Sequence, residues 1–307
     1  MTEARANPLV RVRAAGKINL ALRVGPRRPD GFHPLATVFQ AVSVFDDVEV
    51  RRARPGTFAV SVTGPQAELV PTDGRNLVVH AAHLLIERYR LDRVGAEIAI
   101  RKSIPVTDGM AGGSADCAAA LLALSVLWDL DVTPNELAEL GGRLGSDVPF
   151  ALMGQTAFGK GRGDDLVPVL SRGTYHWVLA FADFELSTPA VFARFDELNP
   201  APSPDLDVPR GMLEVLASGD ANALAGVLVN DLQDAALALR PELARTMDAG
   251  LEAGALASLV SGSGPTIAFL APSEEAAIDL SCELGKAGVC RTVRRVSGPV
   301  HGARLVT

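Results

Sequence analysis

Residues 104–128, IPVTDGMAGGSADCAAALLALSVLW, set Gly109, Gly112 and Gly113 directly against the start of a long, almost uncharged Ala/Leu run. Cys117, Leu121, Leu124 and Trp128 recur at three- and four-residue steps, and the remaining faces are mostly alanine. That spacing predicts a helix buried nearly all round. A helix start exposes unpaired backbone N–H groups and the positive end of the macrodipole, so it attracts anions. Glycines let the backbone approach such an anion because no Cβ intervenes. The same glycines also suit a loop that merely turns, and this segment alone leaves both readings open.

Around it the chain alternates strands and helices. Val10, Val12, Ile18, Leu20, Leu22 and Val24 occupy even positions and are expected on one strand face. Lys17 and Asn19 then share the opposite face, with Gly16 as a bulge or close-approach point. Strands are read at 35–52, 57–64 and 96–105, and an amphipathic helix at 75–90. Thr133-Pro134-Asn135-Glu136 is a capping box opening a helix that stops at Gly145. Pro149 is expected to bar helical continuation, leaving Asp147 in a short connection. NPAPSPDLDVPR (199–210) reads as a loop or linker. Helices at 211–229 and 241–253 follow, then a strand, the loop SGSGP, a second strand, a helix and a final strand. This order suits an α+β layer.

At 307 residues the chain is long enough for about two domains of about 150 residues. A net charge of −7 and the lack of any basic run beyond Arg pairs argue against a nucleic-acid partner. No stretch reaches the ~18 apolar residues of a membrane helix, and no basic region precedes an apolar signal core. A cytoplasmic protein is expected, with no membrane partner. Three cysteines without a C-x-x-C suggest neither a disulfide framework nor zinc, and His80 and His83 read as helix surface or core.

GQTAFGKG (154–161) nearly spells a Walker A loop, but Gly161 stands where Ser or Thr should bind magnesium, so a hairpin is expected. No dinucleotide fingerprint or protein-kinase landmark is present. Three segments remain: GKINL (16–20), the glycine segment with GSDVP downstream, and SGSGPTIAF (261–269).

Taken in order, AAGKINLAL, IPVTDGMAGGSADCAA and SGSGPTIAF resemble the lysine strand, phosphate loop and C-terminal glycine-serine loop of the GHMP kinases. The segments GPRRPDGFHPLATVFQ and GSDVPFAL are similar to those of members whose acceptor is a cytidyl-diphosphate methylerythritol, in the non-mevalonate isoprenoid route. The resemblance implies an α+β, two-domain fold. Residues 1–168 would form a ribosomal-S5-domain-2-like ATP-binding domain and 169–307 a ferredoxin-like substrate-side domain, with the active site between them. The chain departs from the pattern at Ala14-Ala15-Gly16, at Ala111 in place of a glycine, and at Ala115 in place of a second serine.

The resemblance implies Asp147 as general base and Lys17 as its catalytic neighbour, stabilising charge on the transferring group. ATP would be held by Gly109, Met110, Ala111, Gly112, Gly113 and Ser114, with Asn76, Lys102 and Pro105 around the adenine. On the acceptor side it implies Asn19, Phe32, His33, Ser263 and Gly264, with Phe192 either a second base-stacking aromatic or plain core. Mg2+ bridging the phosphates is implied by the chemistry, with no protein ligand assigned and Ser114 only a candidate. A monomer or weak homodimer is expected. Two rivals stay open: a GHMP kinase for mevalonate, homoserine or a sugar, and a catalytically silent nucleotide-binding protein.

Overall fold

The computed structural model describes residues 8–106, 109–204 and 206–306. Part of the N-terminal reading (1–7), Thr107 and Asp108 of the glycine segment, and Asp205 of the Pro-rich stretch lie outside the described residues.

Strands β1 (Val10–Val24) and β2 (Leu35–Arg52), both rich in valine, pair antiparallel along nearly their whole length. The register slips between Ala15 and Gly16 and again between Asn19 and Ala21. At the first slip a Cβ on Gly16 would stand 3.1 Å from Val44 Cγ1 and 3.4 Å from Met110 Cε, so the glycine serves both expected purposes. The second slip leaves Leu20 without a partner and exchanges the faces of everything beyond it. The single even-numbered face is therefore corrected. Val12, Ile18 and Leu20 join the main core, whereas Leu22 and Val24 pack with Val178, Val191 and Phe195 in a second one.

The chain continues through β3 (Phe58–Thr63), α1 (Leu77–Tyr89), β4 (Ala96–Arg101), α2 (Gly112–Leu127), α3 (Pro134–Leu144) and α4 (Val148–Met153). α2 is buried on almost every face, as its alanines predict. Thr133 Oγ1 accepts the Glu136 N–H at 3.2 Å to start α3, but the Glu136 carboxylate turns to Arg88 at 2.7 Å instead of closing the box. Pro149 does not bar a helix: it sits in the first turn of α4, where its missing N–H would have had no partner. β5 (Thr156–Gly161) and β6 (Asp165–Pro168) form the hairpin expected for the near-Walker segment. β2 pairs with β5 through residues 35–40 and with β4 through 47–52, so one strand braces two parts of the sheet.

The second half contains β7 (Tyr175–Phe181), α5 (Thr188–Leu198), α6 (Met212–Ser218), α7 (Ala221–Ala225), β8 (Val229–Asn230), α8 (Gln233–Leu239) and α9 (Glu242–Glu252). β9 (Ala257–Val260), β10 (Ile267–Ala271), α10 (Glu274–Ala287), β11 (Thr292–Gly298) and β12 (Arg304–Leu305) complete it. The antiparallel order β11-β7-β10-β9 is ferredoxin-like. The single helix expected at 211–229 is corrected to two. Gly219 adopts a left-handed φ of 79° that ends α6, and Asp220 caps α7 through the N–H groups of Asn222 and Ala223. Val229, the last residue of that segment, begins β8, which lies parallel on β1, while β12 pairs antiparallel with β1 at Val12 and Arg13. Trp177 of β7 is fully buried and donates to Gln40 Oε1 of β2 at 3.0 Å, fastening the two sheets together.

Candidate active site

A cleft of about 650 Å³ opens where β1, the start of α2, the start of α4 and the β9–β10 loop meet. Lys17 and Asn19 project into it from β1. Between them the Lys17 ammonium donates to Asn19 Oδ1 at 2.7 Å, Asn19 Nδ2 donates to Thr37 Oγ1 at 2.8 Å, and Thr37 donates to the Ala21 carbonyl at 2.8 Å. This relay fixes both side chains. Burial pushes the Lys17 ammonium below its ordinary value, and the negative charge of Asp147 across the cleft opposes that shift. Asp147 occupies the residue before α4, yet its carboxylate makes no capping bond. It faces the cleft with its oxygens uncommitted among the described residues.

The glycine segment reaches the cleft by seating on the β9–β10 loop. Gly109 has φ 74°, and a Cβ there would lie 2.3 Å from the Ser261 carbonyl oxygen. No other residue fits. Ser261 Oγ donates to the Gly109 carbonyl at 3.3 Å, and the Lys17 N–H donates to the Met110 carbonyl at 3.2 Å. The Met110 side chain is buried against Gly16, so only its backbone is near the cleft. Ala111 precedes α2 with φ 57°, a left-handed conformation that costs a residue with a Cβ about 1–2 kcal/mol. No side chain caps α2, so the first N–H groups of this helix, beside Ala111, Gly112 and Gly113, are left to the cleft. Ser114 follows in the same turn.

Asn76 and Lys102 do not line this cleft. Asn76 caps α1 by accepting the Val78 N–H at 3.0 Å, and its amide donates to the Pro71 carbonyl at 2.6 Å. The Lys102 side chain is buried, donating to Asp46 Oδ2 and, at 2.7 Å, to Asp116 Oδ2. Pro105 leads from it toward α2, its carbonyl 3.4 Å from the position a Gly112 Cβ would take. Asp46 also accepts the N–H groups of Ser103 and Ile104, anchoring the approach to the glycine segment. A Cβ on Gly112 would come within 3.2 Å of the Lys102 ammonium, so the triad lies directly beneath the start of α2. Burial, then the charge of Asp46, raise the Asp116 carboxyl well above its ordinary value. No donor reaches Asp116 Oδ1, so the ionised carboxylate lacks a partner there, which acts in the same direction as burial.

Because a raised carboxyl holds its proton to higher pH in the folded state than in the unfolded chain, which releases it above about pH 4, stability from this group falls as pH rises from there. Asp116→Asn, which mimics the protonated acid, is expected to flatten that decline. Urea midpoints at pH 5 and pH 8 check it: the wild-type drop should exceed that of the variant.

A second cavity of about 390 Å³ adjoins the cleft and is lined by Phe32, His33, Phe192 and Asp196. His33 Nδ1 donates to the Gly25 carbonyl at 2.8 Å, and Nε2 lies 3.4 Å from Asp196 Oδ1. The imidazole packs 5.1 Å from the Phe192 ring and edge-on to Phe195 at 6.0 Å. Phe192 packs on His33 and lines both cavities. Phe32 is 49% exposed. Ser263 lines the cleft and is held by Thr188 at 2.8 Å; Gly264 lies behind it and does not. Asn230, which sequence reasoning passed over, donates to the Val260 and Gly262 carbonyls at 2.8 and 2.7 Å and so shapes the β9–β10 loop. Its two-residue strand carries no sequence signal.

Residues 76–155 match the GHMP kinases N terminal domain and residues 212–290 the GHMP kinases C terminal. The chain is 55% identical over 302 residues to a 4-diphosphocytidyl-2-C-methyl-D-erythritol kinase from Mycolicibacterium paratuberculosis, covering 97% of this chain and 93% of that protein. This chain is a GHMP kinase. Another relative of the same name, from Nocardia farcinica, is also 55% identical, over 97% of this GHMP kinase and 96% of its own length. A crystal structure of 4-(cytidine 5'-diphospho)-2C-methyl-D-erythritol kinase superposes with a TM-score of 0.75 at 32% identity, covering 94% and 98% of the two chains. A homoserine kinase from Cytophaga hutchinsonii shares the GHMP kinase fold, with a TM-score of 0.76 at 19% identity over the full length of both.

Proposed function

We propose that this kinase transfers a phosphoryl group from ATP to the 2-hydroxyl of 4-diphosphocytidyl-2-C-methyl-D-erythritol, a step of non-mevalonate isoprenoid synthesis. It would do so in the cytoplasm as a monomer or weak homodimer. The observation that carries the acceptor assignment is the aromatic cavity of Phe32, His33 and Phe192 opening directly into the Lys17–Asp147 cleft. A flat base stacks on an aromatic face, and the relatives' names supply the same chemistry.

In this reading the N–H groups at the start of α2 hold the ATP phosphates. Asp147 takes the proton from the acceptor hydroxyl, and Lys17, held by Asn19, stabilises charge on the transferring group. Asn19 and Ser263 orient the acceptor. Among the described residues no cluster of three or more acidic, histidine or cysteine side chains could cage a metal. Mg2+ binds mainly through substrate phosphates, with one or two protein oxygens. Ser114, in the first turn of α2, is the group that would hold it, and it would neutralise phosphate charge.

The test is ADP release with magnesium-ATP, comparing the cytidyl acceptor with mevalonate, homoserine and galactose. Turnover confined to the cytidyl acceptor is expected. Turnover with another acceptor would keep the kinase and overturn the base pocket, and silence with all four in protein that binds ATP would favour a silent nucleotide-binding protein.

A further inference from the structure

The hairpin that nearly spells a Walker A loop has no part in the chemistry above, yet its turn delivers one side chain to the site. Arg162 follows directly on β5 and is exposed, its backbone N–H held by Asp164 Oδ1 at 3.2 Å. Its guanidinium lies 4.2 Å from the centre of the Phe32 ring. A guanidinium resting on an aromatic face keeps its N–H donors for other partners. Among the described residues no carboxylate forms an ion pair with it, although Asp30 is close enough to feel its charge.

Its position decides the matter. Six residues line both the catalytic cleft and the aromatic cavity: Leu35, Ser146, Arg162, Thr188, Pro189 and Phe192. Of these Arg162 alone is charged. An acceptor with its base in one cavity and its reacting hydroxyl in the other must lay whatever links them across this junction. In a nucleoside-diphosphate-linked alcohol that linker is a diphosphate, and an arginine fork is matched to phosphate oxygens. Lys17 is committed to Asn19 at the reacting end, so it does not serve the linker.

We infer that Arg162 binds the diphosphate of the acceptor and makes this kinase prefer a nucleoside-diphosphate-linked alcohol over an acceptor lacking that linker. The inference rests on the acceptor reading above. Arg162 is a specificity-determining residue and takes no part in proton or phosphoryl transfer.

The test is calorimetric titration of the full chain with CDP and with cytidine, the ATP site being filled with ADP. The wild-type protein is expected to bind CDP more tightly than cytidine. Arg162→Gln should weaken CDP roughly 10–100-fold, the loss of charge-assisted hydrogen bonds, and leave cytidine within about twofold. Arg162→Lys should restore part of the loss. With the cytidyl acceptor, Arg162→Gln should raise its KM by a similar factor while kcat and the KM for ATP stay within about twofold. Arg27 lines only the aromatic cavity, so Arg27→Gln should keep the preference for CDP. Equal weakening of CDP and cytidine by Arg162→Gln would overturn the inference, as would an unchanged preference for CDP. A wild-type protein that binds neither nucleoside would instead overturn the acceptor reading, and this inference with it.

Discussion

Asp147→Asn is expected to lower kcat by roughly 10²–10⁴-fold, the contribution of a positioned general base, while ATP binding stays nearly unchanged. Asparagine occupies the residue before a helix as readily as aspartate, so α4 should form as before. The ATP phosphates are assigned to the start of α2, which does not depend on this carboxylate. Removing its charge also takes away what opposes the burial of Lys17, so the ammonium should lose its proton at a still lower pH. Single-turnover kinetics beside calorimetric ATP binding separate the two effects. A variant with wild-type kcat would exclude Asp147 as the base.

Lys102→Met is expected to cost about 3–5 kcal/mol of stability, because it strips the ammonium from buried Asp46 and takes a donor from Asp116 Oδ2. That is a large part of the ~5–15 kcal/mol that holds a typical domain folded. Unlike most buried pairs, this one has a second duty. Asp46 also receives the N–H groups of Ser103 and Ile104, which lead into the glycine segment. Folded protein that remains should therefore show a raised KM for ATP. Urea denaturation checks the main effect: a loss below about 1 kcal/mol would put the pair in the class of exposed bridges.

Much of this architecture follows from local pattern. The alternating apolar residues of β2, the Thr133 cap and the Ala-rich face of α2 each specify an element without help from the rest of the chain. Where legibility fails, the cause is tertiary. Parity along β1 is broken by a bulge at Leu20 that no residue type announces, and the helix at Pro149 turns on whether proline lies in a first turn or an interior. The site shows the same division. Lys17, Asp147 and the glycines stand out in short motifs, and the cleft brings them together. Lys102 reads as a ligand contact only because its partners are 56 and 14 residues away in sequence, Asp46 on a strand and Asp116 inside a helix. Arg162 sits in a turn whose composition speaks only of a hairpin.

The placement of β8 and β12 on β1 bears on how the molecule comes into being. A polypeptide leaving the ribosome carries an unfinished first sheet until Val229–Asn230 and Arg304–Leu305 have emerged. The seat for Gly109 arrives late as well, with Ser261 to Gly264. Contacts of such wide sequence separation slow folding, since long loops must close before they are rewarded. A half-made chain is thus left without the seat for Gly109, and the glycine segment takes its final position only after residues 261–264 have been made.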